Sequence, residues 1–266
     1  MDLGLNGKTV VVTGGSSGIG LASVKTFLEE GARVAFCARG SERLADVEAE
    51  LSGQYGTDRI YAQALSVLDK EAVTGFAIAV KTHFGGCDAL ITNAGQGRVS
   101  TYANTRDEDW RDELELKFFS QLHPIRAFEA MLRDSAKVSA GAIVAVNSLL
   151  AYQPEAHMVC TSAARAGVQN LLKSLATEFA PAIRVNSIVL GLVDSQQWQR
   201  RFAAREDQSQ TRDDWYAALA QQKKIPLGRL GEPAEAARTI AFLASPAASY
   251  TTGARLEVSG GVSRFV

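Results

Sequence analysis

A β-branched run, Thr9-Val10-Val11-Val12, passes at once into Thr13-Gly14-Gly15-Ser16-Ser17-Gly18-Ile19-Gly20, and the helix-like stretch Leu21–Glu30 follows. A strand, a glycine loop and a helix in immediate succession narrow the choice of fold sharply. The turn has to be tight, which Gly14 permits. The helix has to pack close on the strand, and backbone has to approach a ligand, which Gly18 and Gly20 permit. The helix N-terminus then presents free N–H groups and a favourable dipole to negative charge, the layout that cradles a dinucleotide pyrophosphate. Taken alone, such a loop is also an ordinary strand-to-helix turn. Its weight comes from the strand before it and the helix after it.

The rest of the chain repeats this alternation. Candidate strands fall at Thr9–Thr13, Arg33–Ala38, Ile60–Ala64, Ala89–Thr92, Ala142–Asn147, Arg184–Val189 and Arg255–Val258. Helical patterns lie between them at Leu21–Glu30, Ser41–Leu51, Lys70–Phe84, Asp107–Arg133, Met158–Phe179 and Pro233–Leu243. Apolar strands joined by helices imply crossovers, a parallel sheet and a doubly wound α/β fold. With no repeat, linker or low-complexity stretch, one domain over residues 1–266 is expected. The segment Asp194–Ile225, rich in Gln, Arg and Trp, is the one long connection. Such insertions beyond strand C-termini cover ligands in open α/β sheets.

Composition excludes several classes of function. A net charge of −1 gives no electrostatic footprint for nucleic acid or an anionic membrane. No apolar run approaches the ~20 residues of a membrane span. The residues from Met1 to Asn6 show no basic region followed by an apolar one, so a cytoplasmic protein is expected rather than a secreted one. Cys37, Cys87 and Cys160 are widely spaced, as free thiols in a reducing compartment are, and nothing has metal-ligand spacing.

Further motifs follow in order: Thr92-Asn93-Ala94-Gly95 after the fourth strand, Arg184-Val185-Asn186-Ser187, then Leu190-Gly191-Leu192-Val193-Asp194-Ser195. Ile225-Pro226-Leu227-Gly228-Arg229-Leu230-Gly231-Glu232-Pro233 and Ser259-Gly260-Gly261 close the series. Together, over nearly the whole chain, they resemble the classical short-chain dehydrogenase/reductase family. The resemblance implies a single Rossmann domain with a seven-stranded parallel sheet, a nicotinamide cofactor, and a homodimer or homotetramer built on the two long helices. It implies cofactor contacts from Gly14, Ser16, Ser17, Gly18, Ile19, Gly20, Asn93, Ala94, Gly95, Gly191, Val193 and Ser195. The second strand ends at Arg39, where relatives that prefer NAD commonly carry an acid. A planar cation there pairs with a 2′-phosphate, which favours NADP(H) over NAD(H). Ser66 stands where relatives often carry an Asp against the adenine.

The catalytic positions depart from the family pattern. Ser148 stands where the Ser that polarises the substrate oxygen belongs. Thirteen residues on, the Tyr position holds Thr161, and four further on the Lys position holds Arg165. The family's relay Asn is replaced by Lys117. An aliphatic hydroxyl is a poor substitute for a phenol with a pKa near 10, and Arg keeps a charge but does not carry protons. Arg165 is still suited to holding ribose hydroxyls. Lys117 sits among Leu116, Phe118 and Phe119, where an idle ammonium is costly, so the missing cation is read as having moved to this helix. Lys117, Tyr152 or His157 then supplies the proton, directly or through water. Arg98, Trp198, Arg200 and Arg201 are candidate substrate contacts, and these arginines suit a substrate with an acidic group.

Three functions fit this sequence. The first is a hydride-transferring oxidoreductase for a small carbonyl or alcohol, with a rewired proton relay. The second is a cofactor-binding sensor or assembly protein with little turnover, favoured by Thr161 and Arg165. The third is a non-redox enzyme on the same fold.

Overall fold

A computed structural model of the protein describes residues 2–135, 140–205 and 207–264. The elements run in the order β1 (Thr9–Thr13), α1 (Gly18–Glu29), β2 (Arg33–Ala38), α2 (Ser41–Tyr55), β3 (Ile60–Ala64), α3 (Lys70–Phe84), β4 (Ala89–Thr92) and α4 (Asp107–Ser135). They continue with β5 (Gly141–Ser148), α5 (Val159–Glu178), β6 (Ile183–Leu190), α6 (Gln196–Ala203), α7 (Arg212–Gln222), α8 (Pro233–Ala244) and β7 (Arg255–Val258). The seven strands form one parallel sheet in the order β3-β2-β1-β4-β5-β6-β7. This is the doubly wound α/β arrangement that the alternation implies. The strand order turns back between β1 and β4, and the C-terminal ends of strands at such a point are where these sheets bind ligands.

The core follows from the two-residue period of a strand. Val10 and Val12 of β1 join one apolar cluster, with Val24, Phe27 and Leu28 of α1 and Ile240 of α8. Val11, between them, points into the opposite cluster, with Phe76 of α3, Phe128 of α4 and Leu172 of α5. Because both faces are covered, the strand sequences read as unbroken apolar runs rather than alternating ones. A smaller third cluster around Ala220, Ile225 and Leu230 holds α6 and α7 together, with Trp198 and Tyr216 packed against it.

All the expected strands and helices are present with differences at their ends, and α6 and α7 are two further helices within the long 194–225 connection. The first helix starts at Gly18, three residues earlier than the apolar pattern suggests, because Ser17 takes the extended N-cap conformation and the last loop residues wind into the first turn. The second helix runs on to Tyr55 and stops at Gly56, whose φ of 94° ends it. The fifth helix begins at Val159, with Met158 as its N-cap.

Candidate functional site

The loop after β1 and the loop after β4 are stitched together. Asn93 donates through Nδ2 to the carbonyls of Thr13 and Gly14, at 3.0 and 3.2 Å. The backbone N–H groups of Asn93 and Ala94 donate to Thr13 Oγ1 at 3.0 and 3.1 Å. Gly20 is required by close packing: a Cβ there would lie 2.0 Å from the Gly14 carbonyl oxygen. Gly18, with φ at 52°, faces open space instead. Ser17 makes no side-chain capping bond, so the first N–H groups of α1 are left for another acceptor. Arg43 of α2 donates to the Ser16 carbonyl at 2.9 Å and holds the loop from outside.

These residues form one end of a cleft of about 1440 Å³. Of the residues read from the sequence as cofactor-binding or catalytic, all but Tyr152 line this cleft, from Gly14 and Arg39 to Ser148 and Ser195, and Ser66 lines it too. A volume above the usual ~300–1,000 Å³ of a small-molecule site accommodates a dinucleotide with a substrate beside it. The lining fits an NADP(H) molecule. A helix N-terminus and a glycine turn are set for phosphate, with Arg39 and Arg43 at the far end. At the near end is Arg165, a buried guanidinium whose Nε has no protein partner among the described residues.

The candidate catalytic end is assembled where α4 crosses α5. The buried stripe of α4 runs through Glu113, Lys117, Ser120, Gln121, Pro124, Ile125 and Phe128. It is charged where it reaches the cleft and apolar where it lies on the sheet. Gly167 of α5 lets the helices approach, since a Cβ there would meet the Phe118 ring at 2.7 Å. Lys117 Nζ lies 2.8 Å from Glu113 Oε1, and the two side chains are 6% and 3% exposed. Lys117 also donates to the Gln96 carbonyl at 2.6 Å. Thr161 Oγ1 donates to the same Glu113 oxygen at 2.5 Å and accepts from the Arg98 N–H at 3.2 Å. Arg165 donates through Nη1 to Asn147 Oδ1 at 3.2 Å, and Asn147 donates back to the Arg165 carbonyl and to Gln169.

The electrostatics follow from this packing. Burial lowers the Lys117 pKa, and the charge of Arg165 lowers it further, against the pull of Glu113. Burial pushes Arg165 down to about 10, which leaves it a cation at neutral pH. Ser148 ends β5, and its Oγ accepts from the Leu150 N–H at 3.3 Å.

Two of the three candidate proton donors are repositioned by the structure. Tyr152 does not line the cleft: its hydroxyl donates to Glu257 at 3.3 Å, and Arg255 lies over its ring. His157 lines the cleft, but it stands before α5, outside the helix that carries Thr161. Its Nε2 sits 3.2 Å from Glu155. Arg98 lines the cleft with its charge already paired to Asp109 at 2.7 Å, which weakens its case as a grip for an acidic substrate. Trp198, Arg200 and Arg201 line the outer wall, with the Arg201 guanidinium over the Trp198 ring. Glu113 is the functional candidate that sequence reasoning missed. The signal was there in its place four residues before Lys117, on the same face of α4.

Comparison with known proteins follows the same lines. Residues 14–263 match a family model described as enoyl-(acyl carrier protein) reductase. The chain is 35% identical over 261 residues to the 3-oxoacyl-[acyl-carrier-protein] reductase FabG of Vibrio cholerae, covering 98% of this chain and 99% of that protein. It is 56% identical to a short chain oxidoreductase of Pseudomonas aeruginosa PAO1 that contains an atypical catalytic center, over 97% of this chain and 98% of that one. The TM-scores are 0.93 to its apo structure and 0.90 to its NADPH-bound structure. L-sorbose reductase from Gluconobacter frateurii, solved with NADPH and L-sorbose, is 32% identical over the full length of both chains, with a TM-score of 0.93.

Proposed function

The chain belongs to the classical short-chain dehydrogenase/reductase family, and from that premise we propose that it is an NADP(H)-dependent oxidoreductase that interconverts a small carbonyl compound and its alcohol through a non-standard proton relay. The observation that carries this reading is the single cleft, which joins the phosphate-cradling loop at one end to Ser148, Lys117 and Thr161 at the other. Three relatives support it: a reductase at 35% identity and two neighbours solved with NADPH. Neither a sensor without turnover nor a non-redox enzyme has comparable support.

The N-terminus of α1, with Gly14, Ser16, Ser17, Gly18, Ile19 and Gly20, holds the pyrophosphate. Arg39 holds the 2′-phosphate, helped by Arg43. Asn93, Ala94, Gly95, Gly191, Val193 and Ser195 shape the remainder of the cofactor groove, and Arg165 holds the nicotinamide ribose. The bound nicotinamide supplies or accepts the hydride at the substrate carbon. Ser148 donates a hydrogen bond to the substrate oxygen and polarises it. Lys117 places a positive charge beside the developing oxyanion and feeds the proton that oxygen takes up. Residues 194–225, carried by α6 and α7, cover the substrate. The exposed Leu114 and Phe119 on α4 fit a homodimer or homotetramer formed on the long helices, and the compartment is the cytoplasm.

The test is NADPH oxidation against a panel of small ketones and aldehydes, with cofactor affinity measured in parallel. Turnover of at least one carbonyl is expected, and Lys117→Ala should lower kcat by about 10²-fold or more while NADPH still binds. Tight NADPH binding with no turnover of any carbonyl would refute the reading.

A further inference from the structure

We propose that Lys117, Glu113 and Thr161 act in series as the proton relay, with the Thr161 hydroxyl giving the proton directly to the substrate oxygen. This rests on the carbonyl-reductase reading above and names the path of the proton within it. A Thr in place of a Tyr looks like the loss of the acid, because an alkyl hydroxyl does not ionise near neutral pH. It need not ionise. A hydroxyl that gives its proton on one side while taking another on the other side never becomes an alkoxide.

The geometry supplies that other side. Thr161 lines the cleft, and its Oγ1 is 2.5 Å from Glu113 Oε1. That same oxygen is 2.8 Å from Lys117 Nζ. Both separations are within the reach of direct proton transfer. A carboxylate is rarely buried without a purpose or a partner, and this one serves both neighbours through a single atom. The Arg98 N–H at 3.2 Å fixes the Thr161 hydroxyl from the loop side. Arg165, on α5, is the other cation whose charge bears on Lys117, with the Cys160 thiol on the same helix, and the Gln96 carbonyl takes one of its protons. Burial and the Arg165 charge make the ammonium readier to release a proton than a solvated lysine.

In the reductive direction, a hydride from bound NADPH, which is thereby oxidised to NADP+, adds with its electron pair to the carbonyl carbon, and the C=O π pair moves to oxygen. The Thr161 hydroxyl, which at rest donates to Glu113, turns toward the substrate, and that oxygen takes its proton. Thr161 takes a proton from Glu113 Oε1, which takes one from Lys117 Nζ. The products are the alcohol and a neutral Lys117, which regains its proton from water. Thr161 and Glu113 return to their starting forms. Oxidation runs the same chain backwards.

The experiment compares Thr161→Val, Thr161→Ser and Glu113→Gln with the wild type for kcat and KM on the best carbonyl of the panel. NADPH affinity, measured by fluorescence, shows that each variant is folded. Thr161→Val keeps the shape and loses the hydroxyl, and it should lower kcat by about 10²–10⁴-fold with NADPH affinity within about twofold. Thr161→Ser should retain kcat within about fivefold, and Glu113→Gln should fall as far as Thr161→Val. A Thr161→Val enzyme at the wild-type rate would overturn the relay and leave the reductase reading standing. So would a Thr161→Ser enzyme as slow as Thr161→Val, because the side chain would then matter for its methyl group. A wild type that turns over no carbonyl would overturn the reductase reading and the relay with it.

Discussion

The Lys117–Glu113 pair makes a stability prediction that is independent of turnover. At 2.8 Å the attraction between the two charges is about 6 kcal/mol at an effective dielectric constant near 20. Most of that is cancelled by the cost of taking both ions out of water, so the pair as a whole contributes little net stability. Breaking it is another matter, because one charge is left buried alone, typically at a cost of about 3–5 kcal/mol. The two single variants should differ. In Lys117→Met, Glu113 keeps Thr161 and the field of Arg165, so the loss should sit near the lower bound, about 3 kcal/mol. In Glu113→Gln, two cations face each other with the carboxylate between them gone, so the loss should be larger. The double variant Lys117→Met/Glu113→Gln should recover about 2 kcal/mol relative to the sum of the singles. Urea unfolding of the cofactor-free protein, followed by circular dichroism, gives the three values, and Lys117→Met should lower Tm by about 6–12 °C. Losses that add to within about 0.5 kcal/mol would show that the charges are not coupled and would refute the reasoning.

Three more predictions follow from other contacts. Gly20→Ala puts a methyl group where Gly14 O and Asn93 Nδ2 lie, at 2.0 and 2.6 Å, so the phosphate loop must shift; NADPH affinity measured by calorimetry should fall by about tenfold or more. Arg184 donates to the carbonyls of Leu243, Ala244, Ser245 and Thr251, the first three at the C-terminal end of α8. Arg184→Met leaves these buried acceptors bare and should cost at least about 2 kcal/mol in urea unfolding. Burial raises the Asp88 pKa, but hydrogen bonds from Ser135, Thr9 and Lys8 outweigh it and hold the carboxyl below the ordinary 3.8. Its contribution is therefore present above the unfolded value and is lost as pH falls through the folded one, so the stability gap between wild type and Asp88→Asn should narrow only below about pH 4.

The fold was legible because the two strongest signals agreed. Val10, Val11 and Val12 are buried on alternate faces, and only a doubly covered strand tolerates that. The glycine loop then marked the turn into the first helix, although its last residues wind into the helix from Gly18. Lys117 could be placed at the site by counting along its helix, and its apolar neighbours signalled burial. Glu113 escaped notice because Asp112-Glu113-Leu114-Glu115 reads as a solvated acidic run, although the spacing Glu113, Lys117, Ser120, Pro124, Phe128 marks one buried face. Tyr152 and His157 show the converse limit. Nothing in their local sequence says whether a side chain turns into the cleft or, as Tyr152 does, away to Glu257 on the last strand. Arg184 shows the same limit at longer range, since the carbonyls it binds arrive from about sixty residues further along the chain.

The shared oxygen of Glu113 also bears on how such a site can evolve. Lys117, Glu113 and Thr161 meet at one atom, and Arg165 faces the same carboxylate. An Asn at position 117 alone would strand a buried carboxylate. A Tyr at position 161 alone would remove the hydroxyl that caps it. The positions therefore form one coupled set, and changing any one of them alone passes through a less stable protein.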